Sequence, residues 1–147
     1  MKTNEIVMPG MQMKKLISNK YEPILQKYDL RPVEVDILVF LHETDDIDTA
    51  KEIIQCKHLS KAHVSKSIDN LKERGFIQIT EDDEDHRILH ICLTDKSKEV
   101  INIAMKVYEE CKEIMQRGIS KEEMEVVTRV MTKVAENITQ ELEQYNS

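Results

Sequence analysis

Between Leu59 and Leu93 the spacing of apolar residues switches from the period of a helix to that of a strand, in LSKAHVSKSIDNLKERGFIQITEDDEDHRILHICL. Val64, Ile68 and Leu71 stand at i, i+4 and i+7, a stripe that has to face a core. At about 100° per residue, Ala62, His63, Lys66, Asn70 and Glu73 fall on the opposite, mostly polar side. Ser60 is placed to cap the first turn, its hydroxyl accepting from a free amide. Gly75 is placed where a helix ends in a left-handed residue. After it, Phe76, Ile77 and Ile79, then Ile88, Leu89, Ile91 and Leu93, are apolar and mostly β-branched or aromatic, which predicts two antiparallel strands. Their connection, Thr80 to Arg87, is too long and too charged for a two-residue turn and predicts a projecting loop. The stretch reads as a groove-entering recognition helix followed by a wing.

Here the sequence resembles the MarR family of winged helix-turn-helix regulators. The residues that carry the resemblance are the helix ending NLKERGFI, the Asp-x-Arg of the loop at Asp85, His86 and Arg87, and the strand running through CLTDKSKEV into a further helix. The likeness covers about Leu25 to Leu142, with helix, wing and following helix in the family's order. It implies a mainly α fold with a small β wing, in which residues 30–93 form the DNA-binding region. Residues 1–29 and 94–147 then form a helical dimerisation region, all within a single chain of 147 residues.

The flanking segments fit that order. From Met11 to Tyr28 the positions Leu16, Ile17, Tyr21, Ile24, Leu25 and Tyr28 make a helical stripe, with Pro23 expected to bend or restart it. Pro32 starts a second helix at a position that loses no hydrogen bond, with Val33, Ile37, Leu38 and Leu41 as its buried face. Ile47 is expected to add a short third strand to the wing sheet. Thr49 and Glu52 form a capping box for a short helix through Gln55, and Cys56 to Leu59, including His58, form the turn before the recognition helix. Thr94 is expected to cap a long helix carrying Val100, Ile103, Ala104, Val107, Cys111 and Ile114 on one side, ended by Gly118. Ser120 and Glu123 make another capping box before Met124, Val127, Met131, Val134, Ile138 and Leu142. A small winged domain cannot bury both stripes, so a homodimer with two-fold symmetry is expected. Its recognition helices would lie about one DNA turn apart, and a monomer with the two helices paired internally is the competing reading.

The formal net charge of −7 is unusual for a nucleic-acid binder, so its distribution decides more than its total. Residues 51–74 carry six Lys or Arg against three Asp or Glu, whereas residues 75–87 carry one against five. Lys51, Lys57, Lys61, Lys66, Lys72 and Arg74 are therefore candidates for neutralising phosphates. Ser60, Lys61, Ala62, His63, Ser65, Lys66 and Asn70 are the candidate major-groove or flanking residues, and Asn can read adenine by two hydrogen bonds. The resemblance implies that Arg87 enters the minor groove and that Asp85 steadies it. The carboxylates from Glu81 to Asp85 leave a second reading open, in which Arg87 only neutralises its neighbours. Such a wing predicts binding that weakens as salt rises.

Other chemistry is not legible. No nucleophile with a base, phosphate loop or apolar carboxylate pair stands out, so no enzyme and no cofactor is expected. His42, His58, His63, His86 and His90 lack metal-ligand spacing. Cys56, Cys92 and Cys111 have neither zinc-site nor disulfide-scaffold spacing. No run of about 18 apolar residues exists, so no membrane partner is expected and the chain reads as cytoplasmic. The resemblance implies a sequence-specific regulator, most simply a repressor, that binds an inverted repeat in double-stranded DNA as a homodimer. It also implies a small-molecule effector lodged where the winged region meets the helical region. Met8, Met11, Met13, Met105, Met115, Met124 and Met131 are candidates for an adaptable lining, with plain helical core as the competing reading. A cysteine-based redox response and a winged-helix module that binds protein rather than DNA are the alternatives.

Overall fold

A computed structural model describes residues 2–57 and 59–146. Its elements run α1 (Thr3–Tyr28), α2 (Pro32–Glu43), α3 (Ala50–Lys57), α4 (Lys61–Glu73), β1 (Ile77–Glu81), β2 (Leu89–Leu93), α5 (Asp95–Gln116) and α6 (Lys121–Asn146). The chain divides into two compact units, Met1–Cys111 and Lys112–Ser147.

α1 begins at Thr3 rather than near Met11 and passes through both Pro9 and Pro23 without restarting. A proline removes one hydrogen bond from a helix interior. Around Pro23 the burial of Tyr21 and Ile24, each 1% exposed, offsets that loss, since burying one such side chain contributes about 1.5–3 kcal/mol. The helix ends at Asp29, whose φ of 50° turns the chain so that Leu30 Nα donates to the Leu25 carbonyl at 3.1 Å.

α2 is the centre of the first unit. Its buried side includes Val35 and Val39 as well as the expected Ile37, Leu38 and Leu41, while Val33 is only half-buried. A one-sided stripe underestimates a helix packed against α1, α4 and β2 together. Ile53 of α3, Val64, Ile68 and Leu71 of α4, Phe76 and Ile77 complete the core around it. In α5, Val100, Ala104, Val107 and Cys111 are buried as expected; Ile101 and Ser97 are buried too, and Ile114 is exposed.

β1 and β2 pair antiparallel in the register Ile77↔Leu93, Ile79↔Ile91 and Glu81↔Leu89. The loop between them is therefore 82–88, shorter at its start than the sequence suggests because Thr80 and Glu81 are strand. The sheet has two strands among the described residues. Ile47 forms no third strand, and that edge is reduced to one backbone bond, Ile91 Nα to the Asp48 carbonyl at 2.7 Å.

The capping residues mostly occupy their expected places. The Thr49 hydroxyl accepts from Glu52 Nα at 3.3 Å while Glu52 Oε2 accepts from Thr49 Nα at 3.0 Å. Ser120 and Glu123 repeat the pattern at 3.2 and 2.7 Å. Thr94 differs: its hydroxyl donates to the Gly75 carbonyl at 2.6 Å, tying the start of α5 to the end of the recognition helix. In the second unit, Val127, Val130, Met131, Val134, Ile138 and Leu142 of α6 are all exposed. No helix among the described residues is long and apolar enough to cross a membrane.

Candidate nucleic-acid interface

The recognition helix is α4. Ser60 caps it, its hydroxyl accepting from His63 Nα at 3.2 Å, and Gly75 terminates it with φ of 77°. Val64 and Leu71 are fully buried and Ile68 is 6% exposed, so the inward stripe is the one expected. The helix therefore presents Ser60, Lys61, Ala62, His63, Ser65 and Lys66 to solvent. His58, expected in the turn before it, lies outside the described residues.

Asn70 is different. It is half-buried, and its Nδ2 donates to Glu34 Oε1 at 2.7 Å. Glu34, on the first turn of α2, is completely buried and also accepts from Arg31 Nα at 2.8 Å, Nε at 3.0 Å and Nη2 at 2.7 Å. Burial alone would push the Glu34 carboxyl up, but the bonds from Arg31 and Asn70 outweigh it and leave the group below its ordinary value. Arg31 Nη2 also lies 3.3 Å from Ser67 Oγ, which itself donates to the His63 carbonyl at 2.8 Å. A polar knot thus fastens the recognition helix to α2. Sequence reasoning missed Glu34 and Arg31 because Glu34 sits beside apolar positions and reads as a first-turn acid.

The basic island is only partly free. Lys51, Lys61, Lys66 and Lys72 are exposed. Arg74 instead donates to the carbonyls of Tyr28 and Asp29, and Lys57 lies 5.6 Å from the centre of the Phe40 ring.

In the wing, the acidic run is organised. Asp82 Oδ1 accepts from the backbone amides of Glu84 and Asp85, both at 2.9 Å, which closes the loop. Asp85 grips Arg87 with both carboxylate oxygens, Oδ1 to Nε at 3.0 Å and Oδ2 to Nη2 at 3.1 Å, and Oδ1 also takes the Arg87 amide at 3.1 Å. This two-pronged geometry fixes the plane of the guanidinium while leaving the side chain 91% exposed. The pairing holds the Asp85 carboxyl below its usual range.

His90 joins wing to helix-turn-helix. Its Nδ1 lies 2.7 Å from Asp48 Oδ1, just before α3, and its Nε2 lies 2.9 Å from Asp82 Oδ2. Hydrogen bonds to both carboxylates raise the His90 pKa to about 9, and the same bond with the loop amides lowers that of Asp82 to about 2. At neutral pH the ring is therefore a cation set between two of the acids that make the region look unfavourable for DNA. Among the described residues no group of three His, Cys, Asp or Glu is arranged to hold a metal ion. Cys56 and Cys92 are exposed and Cys111 is buried.

A cavity of about 530 Å³ lies between α1, α2 and α5, with Met13, Lys14, Ile17, Tyr21, Asp36 and Tyr108 in its wall. The Tyr108 hydroxyl donates to Asp36 Oδ1 at 3.3 Å, and the Tyr21 and Tyr108 rings meet edge to face at 6.1 Å. Burial pushes the Asp36 carboxyl up, opposed by Lys57, by the Tyr108 bond and by Lys14. Of the seven methionines expected as lining, Met13 is the one in this wall. Met8, Met11, Met115 and Met131 are exposed instead, because helical spacing does not say which stripe faces a gap.

The MarR family model matches residues 28–88, from the last turn of α1 through the wing loop. A Bacillus subtilis (strain 168) protein, the uncharacterized HTH-type transcriptional regulator YwaE, is 26% identical over 115 residues, covering 78% of this chain and 67% of its own length. Solved structures show the same fold. The MarR protein from Peptoclostridium difficile DA00132 superposes with a TM-score of 0.79 at 24% identity, over 96% of this chain and 91% of that one. The S. aureus MepR–DNA complex gives a TM-score of 0.75 at 20% identity, over 93% and 99%. The segment that matches the MarR family model contains the capped recognition helix and the Asp-x-Arg wing, and the chain shares its fold with solved MarR-type proteins.

Proposed function

We propose that this chain is a homodimeric, sequence-specific regulator of transcription, acting as a repressor at an inverted repeat in double-stranded DNA. The observation that carries the reading is the pairing of an exposed, Ser60-capped recognition helix with a wing whose Arg87 is held outward and oriented by Asp85. Ser60, Lys61, Ala62, His63, Ser65, Lys66 and Asn70 would meet the major groove or its phosphates, and Arg87 the minor groove, where narrow A·T tracts attract arginine. S. aureus MepR has been solved with DNA on the same fold. Residues 30–93 would form the DNA-binding region, and residues 1–29 with 94–147 the dimerisation region. The exposed apolar stripe of α6, together with Val7, Met8 and Met11 of α1, supports that division, since such surface is costly to leave in water.

The cavity between α1, α2 and α5 is the place we assign to a small effector, aromatic enough to stack on Tyr21 and Tyr108. An effector acts only through different affinities for the DNA-competent and incompetent dimers.

Selection of duplexes from a random pool by the purified protein, followed by titration across a salt series, tests the reading. An enriched inverted repeat whose affinity falls steeply with salt supports it. Absence of enrichment at low salt overturns it in favour of a module that binds protein.

A further inference from the structure

The Glu34 carboxylate is the only fully buried charged side chain among the described residues, and it lies beneath the recognition helix. Burying a carboxylate is costly, and well-packed apolar residues are often as stable or more so. What a buried charge supplies is geometry. Glu34 is held ionised by three bonds from Arg31, so it can only accept. The fourth bond comes from Asn70 Nδ2. An asparagine amide has two nearly isosteric ends and can otherwise turn over; beside an acceptor-only partner, its nitrogen must point to Glu34. That leaves one N–H and the carbonyl oxygen unspent. These are the donor and acceptor that a two-bond contact with the N7 and N6 edge of adenine needs. A groove of about 350 Å³, lined by Arg31, Lys66, Asp69, Asn70 and Glu73, opens over the amide.

We propose that Glu34 is a specificity-positioning residue: held by Arg31 and without itself touching DNA, it fixes which end of the Asn70 amide faces the groove and so which base is read there. The inference rests on the DNA-binding reading above. Glu34→Gln is the informative variant, because a neutral amide can offer either end to Asn70 and lets it turn over.

The test is a double-mutant cycle on the duplex enriched by the parent, on all its single-base-pair variants and on a random-sequence duplex. Glu34→Gln and Asn70→Ala are each expected to lower discrimination at the same base pair by roughly tenfold. The double variant loses no more discrimination than either alone, and Glu34→Gln leaves affinity for the random duplex unchanged. Three results overturn the proposal: Glu34→Gln weakens all duplexes alike, the two losses multiply in the double variant, or Asn70→Ala leaves discrimination intact. Should Glu34→Gln not fold by circular dichroism, Glu34→Asp takes its place in the cycle with the same expected outcomes, since the shorter side chain withdraws the carboxylate from the Asn70 amide. A parent that enriches no duplex overturns the DNA-binding reading itself, which is distinguishable from the loss of base discrimination.

Discussion

His90 and Arg87 are the two residues whose surroundings change what the wing can do. The Arg87 guanidinium is gripped by Asp85 yet almost fully exposed, so its removal should affect binding far more than folding. Arg87→Ala is expected to weaken the selected duplex by about 1–3 kcal/mol and to flatten its A·T preference, read by fluorescence anisotropy. Unchanged affinity would mean that the guanidinium serves only the acids around it. For His90 the sign is set by linkage. Its pKa is raised to about 9, so its stabilising contribution is complete below its ordinary value near 6.5 and is lost as pH rises through about 9. Asp82 is lowered to about 2, so its contribution is present above its ordinary value near 3.8 and is lost as pH falls towards about 2. The melting temperatures of the parent and His90→Asn should therefore differ most near pH 5–6 and converge by about pH 10. Parallel curves across that range would remove the clamp from the account.

At the scale of elements, the recognition helix is defined by its ends. Gly75 has φ of 77°, and a Cβ there meets nothing within 4 Å, so a substitution is resisted by backbone conformation and not by crowding. Gly75→Ala should cost about 1–2 kcal/mol in urea unfolding. The cost should not be relieved by shrinking neighbours, since no neighbour is involved. Loss well below that range would mean that the turn adopts another conformation in solution. The same glycine offers its carbonyl to the Thr94 hydroxyl, so the end of the helix, the strand pair and the start of α5 are joined at one point.

Across the whole molecule, α6 carries an apolar stripe from Val127 to Leu142 that is exposed along its length. A double substitution, Val130→Glu with Val134→Glu, places two charges within it and leaves the core of the first unit untouched. Sedimentation is expected to show a dimer for the parent and a monomer for the variant, with binding to the inverted repeat lost and the circular dichroism of the first unit kept. A variant that remains dimeric would place the interface elsewhere.

The sequence by itself determined the element order, the caps at Thr49, Ser60 and Ser120, the terminating glycines and the inward stripe of α4. These are local properties, set within a few residues by hydrogen bonding and periodicity. Tertiary structure alone decided that Glu34 meets Asn70, that Arg74 turns to the end of α1, and that His90 stands between Asp48 and Asp82. It also decided that Ile47 contributes no strand and that α2 is buried beyond a single face. Each of these joins residues from 8 to 46 positions apart, or depends on how many neighbours surround a helix. No periodicity encodes such pairings, because they exist only once the core has brought the elements together.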